Sequence, residues 1–206
     1  MEKQKLIIID TGHGGLIGDY QTSGKRSPDP ETGGVLYEGV LNRAIGFELQ
    51  FELSLRGIPC TMLAPENQDI TLPTRVNRSK ELHQKFDCFG ISIHSNAHGD
   101  GKTWTKPNYW SVWTSEGETK SDLYAQDYVD KIKEKFPDVE IGRGVAGNPS
   151  MEKNYYIVAR TPMPFLLLEN FFMTSEKGYR LLTDHAERRK IVEALLEATI
   201  CVYENM

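Results

Sequence analysis

The sequence predicts a single α/β domain spanning residues 1–206. The expected architecture is a mostly parallel, mixed and twisted sheet of about six strands with helices on both faces, phosphorylase/hydrolase-like in layout. Three observations carry this. Leu6-Ile7-Ile8-Ile9 is an apolar run that reads as a strand buried on both faces, the kind found in parallel sheets covered by helices. Strand-like runs then alternate with helical periodicities through most of the chain. No repeat, low-complexity tract or linker divides the 206 residues, a length that suits one α/β domain or at most two small ones.

In chain order, the first strand runs into the turn Asp10-Thr11-Gly12-His13-Gly14-Gly15. Residues 16–35, rich in Gly, Asp, Pro, Ser and Thr, read as a long loop, and a loop of about twenty residues in a compact domain is usually functional or mobile. Glu38 opens a helix in which Leu41, Ile45, Leu49 and Leu53 recur every four residues. Val40, Ala44, Phe47, Phe51 and Leu55 widen its apolar face, and Gly57 with Pro59 ends it. Cys60 to Ala64 is a second strand. A helix start at Asp69–Pro73 precedes Val76, Leu82 and Phe86. Cys88 to His94 alternates bulky and small residues and is a third strand. Tyr109 to Thr114 is a fourth. A helix capped by Ser121 or Asp122 carries Tyr124, Tyr128, Ile132 and Phe136. Tyr155–Ala159 and Phe165–Leu168 are read as two further strands, the second ending at Glu169. Two closing helices follow, the last from about Asp184.

Composition excludes some functions. The net charge of −5 and pI near 5.6 argue against a nucleic-acid-binding surface. Cys60, Cys88 and Cys201 are odd in number, far apart and set in apolar runs, so small buried hydrophobes are expected rather than a disulfide or a zinc knuckle. No segment approaches the ~20 apolar residues of a membrane span, and the four apolar residues before Asp10 are too few for a signal-peptide core.

The chemistry concentrates in four residues. His13 follows the first strand, His94 ends the third, Glu169 ends the last, and Glu38 opens the first long helix. Strand carboxyl ends and helix starts share one rim of an α/β sheet, so all four could meet there. Two imidazoles and a carboxylate suit catalytic zinc, and a second carboxylate could take a proton from water. Alone, His94 is as well read as a satisfied core histidine, and Glu38 is better explained as a first-turn acid favoured by the helix dipole. Glu169 follows four apolar residues, where burying a carboxylate without a partner is costly.

Four motifs resemble a known family in order and over nearly the whole chain: Asp10-Thr11-Gly12-His13-Gly14-Gly15, Glu38 with Leu41-Asn42, Ser92-Ile93-His94-Ser95-Asn96-Ala97, and Leu168-Glu169-Asn170-Phe171-Phe172. The family is that of the zinc-dependent N-acetylmuramoyl-L-alanine amidases, typified by bacterial cell-division amidases and many phage endolysins. Arg143-Gly144-Val145 and Met163-Pro164 also look like its segments. Three positions depart from it: Thr11 replaces a proline, Phe171 a common glycine and Ser175 a frequent asparagine. The segment between His94 and Tyr109 leaves no room for the inhibitory helix of some cell-division members.

The resemblance implies one zinc ion per chain held by His13, Glu38 and His94, with Glu169 as the catalytic carboxylate. The implied substrate is peptidoglycan, cut between the lactyl group of N-acetylmuramic acid and L-alanine. Asn96, Arg75 and Trp104 are candidate substrate contacts, although from sequence alone Arg75 reads better as half of a surface ion pair. Asp10 is a candidate to orient a ligand histidine, while His98 is a reserve ligand in exposed surroundings. Glu48 and Glu52 read as a solvated stripe. A monomer acting on the wall without nucleic acid or membrane insertion is expected, reaching it by phage-type release or through an export signal missing here. The alternatives are a zinc exopeptidase acting on ordinary peptides and an idle domain that binds peptidoglycan partners.

Overall fold

A computed structural model describes residues 3–206 except 21, 23, 24, 32, 143 and 145–147. Six strands form one sheet in the order β4-β1-β5-β8-β6-β7. They are β1 (Lys5–Thr11), β4 (Cys60–Met62), β5 (Asp87–Asn96), β6 (Ser111–Thr114), β7 (Met151–Glu152) and β8 (Phe165–Phe172). All neighbouring pairs are parallel except β6 with β8, so the sheet is mixed as the sequence predicts. The expected long loop holds a small antiparallel pair, β2 (Leu16–Ile17) and β3 (Asp19–Tyr20).

Helices cover both faces. On one side α1 (Glu38–Leu55), α3 (Lys120–Lys135) and α6 (His185–Asn205) enclose the main core, in which Ile7, Ile9, Phe89, Ile91, Ile93, Leu166 and Leu168 point at Ile45, Leu49, Tyr128 and Leu195. The alternate residues of the same strands, Leu6, Ile8, Cys88, Phe165 and Leu167, form a second cluster. It lies under α2 (Leu72–Lys85) and α4 (Tyr156–Arg160), while α5 (Glu176–Thr183) leads into α6. Strands buried on both faces explain the continuous apolar runs.

Several expectations are corrected. Tyr155–Ala159 is not a strand: residues 156–160 form α4. Both edges of β8 are already paired, to β5 and β6, so the segment has no backbone to pair with there and satisfies its own as a helical turn. Ile157 and Val158 then pack into the second cluster. The cap of α3 is Thr119, in a reciprocal capping box with Asp122. On α1, Val40, Phe47, Phe51 and Leu55 do not join the core. They are 41%, 44%, 61% and 66% exposed, because the sheet and α6 take only the Leu41–Leu53 stripe. Glu48 and Glu52 are no free stripe either, since Arg189 of α6 reaches them at 2.8 and 2.7 Å. Cys88 is buried while Cys60 and Cys201 are half-buried, and all three are free thiols.

The chain places β4 on one side of β1 and β5 on the other. The topology therefore reverses between β1 and β5, and a crevice opens beyond their carboxyl ends.

Candidate metal centre

His13 and His94 come to that crevice from the two strands flanking the reversal. His13 stands just past β1 and has φ of 64°, left-handed backbone that a side chain other than glycine adopts at a cost of about 1–2 kcal/mol. Two buried arginines hold it there. Arg43 Nη1 and Arg75 Nη2 donate to the His13 carbonyl at 2.8 and 3.2 Å. His94 lies in β5, beside Glu169 of β8 in the parallel register, just before a bulge that interrupts the ladder. Paired residues share a sheet face, so both side chains emerge on the same side. Gly12 lets the His94 ring lie against its backbone, since a Cβ there would collide with the imidazole.

Glu38 completes the cluster from the first turn of α1. That helix end approaches the β1 turn so closely that a side chain on Gly39 would run into the Gly14 carbonyl. Glu38 Oε2 lies 3.2 Å from His13 Nε2, and Oε1 lies 3.1 Å from His94 Nδ1. The three residues offer ligand atoms all within 4.8 Å of one another. The Glu38 carboxylate also accepts from the Ser95 backbone N–H at 3.3 Å and from Asn42 Nδ2 at 3.5 Å. Burial by itself pushes this carboxyl group's pKa up, yet hydrogen bonds and charge from His13 and His94 together hold it well below the usual carboxylate range. A shielded anion between two imidazole nitrogens fits a divalent cation of the nitrogen- and oxygen-binding kind, zinc among them.

Glu169 is the fourth member. Its Oε2 is sealed from solvent and has no hydrogen-bond partner among the described residues. Burial first, and the Glu38 charge second, raise its pKa well above the usual value, while Lys25 works in the opposite direction. A carboxyl group tuned toward neutrality at a cleft wall is suited to passing protons. The cleft encloses ≈ 610 Å³, bordered by the three possible ligands, Glu169, Asn96, Lys25, Tyr155 and Tyr156.

Of the remaining candidates, Asn96 lines the cleft. Arg75 borders it too, but is only 2% exposed and committed elsewhere. Nη1 pairs with Asp10 Oδ1 at 2.5 Å and the Thr11 carbonyl at 2.6 Å, and Nε with the Ile70 carbonyl at 2.8 Å. The surface ion pair read from sequence is thus a buried one that props the β1 turn. Asp10 faces Arg75 and Ser92 Oγ, the latter at 2.6 Å, instead of a histidine. Trp104 is absent from the cleft. It lines a separate depression beside Lys106 and Arg180, edge-on to Tyr179. His98 is exposed. Arg143 and Val145 fall outside the described residues.

Sequence reasoning quoted Asn42 in a motif without giving it a role, and missed Arg43. Asn42 sits one turn after Glu38, so helical spacing alone put it on the same face. It is fully buried and its amide also donates to the Gly12 carbonyl at 3.2 Å. Arg43 is buried as well, and its partners, the carbonyls of His13 and Glu66, lie on other segments.

Comparison with known proteins bears on the same residues. Residues 7–200 match the model of the N-acetylmuramoyl-L-alanine amidase family. The chain belongs to this family. Among solved amidases it is similar to the N-acetylmuramoyl-L-alanine amidase from Clostridium difficile 630, with 21% identity, 98% of each chain covered and a TM-score of 0.79. The catalytic domain of CwlV from Bacillus (Paenibacillus) polymyxa var. colistinus gives 18%, 98% of this chain and 99% of that one, and 0.76. The catalytic domain of the CD27L endolysin targeting Clostridia difficile gives 19%, 95% and 97%, and 0.70. An uncharacterized protein of Bacillus subtilis (strain 168), YqiI, is 24% identical over 203 residues, covering 98% of this chain and 86% of that protein. At these identities the likeness to solved amidases concerns the fold. Phe171 has φ of 59°, which accounts for the glycine that the amidase resemblance leads one to expect there.

Proposed function

We propose that this chain is a zinc-dependent hydrolase that cuts peptidoglycan between the lactyl group of N-acetylmuramic acid and L-alanine. One observation carries the reading: in an amidase-family chain, His13, Glu38 and His94 converge on one point while the unpartnered Glu169 oxygen borders the same cleft. His13, Glu38 and His94 would hold the ion. Bound there, zinc supplies Lewis acidity toward the scissile carbonyl and makes water more acidic. The rest falls to the protein. Glu169 takes a proton from the attacking water and returns it to the departing alanine nitrogen, which an amide requires because an unprotonated amine leaves poorly. Arg43, Arg75 and Asn42 keep the two imidazoles and Glu38 in position, and Asn96 offers its amide to the substrate. We assign the chain to wall digestion of the endolysin kind.

Glu169→Gln preserves shape and removes the proton carrier. It is expected to keep stoichiometric zinc by metal analysis and to lose about 10²–10⁴-fold in turnover on purified cell walls. Digestion at the normal rate by this variant would refute the assignment of Glu169.

A further inference from the structure

The cleft carries more acid than base. Asp10, Glu38, Asp69 and Glu169 all line it, yet only two side chains of permanent positive charge do so among the described residues, Arg75 and Lys25. Arg75 is consumed by Asp10 and three backbone carbonyls. Lys25 is exposed, and its ammonium makes no hydrogen bond or ion pair among the described residues.

Its backbone is nonetheless fixed. The Lys25 carbonyl accepts the Glu38 N–H at 2.9 Å, Arg26 bridges to Tyr37, and Ser27 N–H donates to the Leu36 carbonyl at 2.8 Å. A pinned backbone next to a possible ligand residue, bearing a cation with no partner among the described residues on a flexible stem, suits recognition of an anion on the substrate. Lys25 lines the same cleft as Glu169 and the three possible ligands, and its charge opposes the upward shift of the Glu169 pKa.

We propose that Lys25 forms a carboxylate subsite at the cleft mouth, which pairs with the α-carboxylate of the second stem-peptide residue. This rests on the amidase reading above. Counting from the scissile nitrogen, that carboxylate lies two residues along the stem, about 7 Å when extended. A free carboxylate and its amide differ by one negative charge, so the subsite discriminates between the two.

The experiment uses the zinc-loaded protein and two purified muropeptides that differ only in a free or amidated second-residue α-carboxyl group. The wild type is expected to show a KM about fivefold lower for the free acid, the size of a good half-exposed ion pair. Lys25→Met abolishes that difference by raising KM on the free acid relative to the amide, any change in kcat through Glu169 being common to both muropeptides, and Lys25→Arg restores the difference. An equal rise in KM on both muropeptides, with the preference for the free acid kept, would show that Lys25 acts only through Glu169 and overturn the subsite. A wild type indifferent to the amide overturns it too while leaving the amidase reading intact. Failure to cut either muropeptide brings down both.

Discussion

The Glu169 carboxyl group combines a raised pKa with a sealed oxygen that has no partner among the described residues, a combination that costs stability. The sign follows from proton counting. With its folded pKa above the unfolded one, the native state binds the extra proton between those two values, so stability falls as pH rises through that window. Glu169→Gln removes the slope. In chelator-treated protein, urea unfolding at pH 7.5 should find this variant more stable than the wild type by on the order of 1 kcal/mol, with the gap closing toward pH 4. A variant less stable at pH 7.5 would mean that the carboxylate has a partner in solution. Glu38 reads the other way: held low by its histidines, it keeps its charge throughout this range. His13 and Phe171 are the two described non-glycine residues with positive φ, and both adjoin this chemistry. Strain of that kind persists because surrounding contacts hold it, here the two arginines on His13 and the fully buried ring of Phe171.

Among the elements, α1 has the most to explain. It is apolar on two faces, and only one is covered. Leu49 is fully buried in the main core, whereas Phe51 two positions later is 61% exposed. Leu49→Ala should therefore cost about 2–5 kcal/mol by denaturant titration, and Phe51→Ser no more than about 0.5. Comparable losses at both sites would show that the outer stripe is covered in solution. The helix also illustrates what periodicity can and cannot yield. Its limits, Glu38 to Leu55, follow from the repeat and the Gly57 stop. Which stripe faces inward depends on α6, whose Arg189 bridges Glu48 and Glu52 from more than 130 positions away. The 156–160 helix makes the same point. Five apolar-rich residues fit either state, and the occupied edges of β8 decided between them.

For the molecule as a whole, the ion expected at the His13–Glu38–His94 cluster ties the β1 turn, β5 and α1 together. A ligand that binds the folded form alone stabilises it by mass action, about 2.7 kcal/mol at a free concentration of 100 times Kd. Zinc should thus raise Tm by roughly 5–10 °C in a chain of this length, and a chelator should reverse it. The triple variant His13→Ala, Glu38→Ala, His94→Ala should show no zinc-dependent shift. An unchanged Tm in the wild type would exclude tight binding at this cluster.

By itself the sequence determined the fold class, the main strands and long helices and the residue types gathered at the sheet's rim, because strand and helix periods are local and the four motifs keep their order along the chain. Only the tertiary structure decided that Arg75 lies buried against Asp10, that Trp104 stands outside the cleft, that one apolar stripe of α1 is left uncovered and that Lys25 borders the cleft without a partner among the described residues. Burial and pairing are set by segments distant in sequence, and no local pattern records which of them arrive.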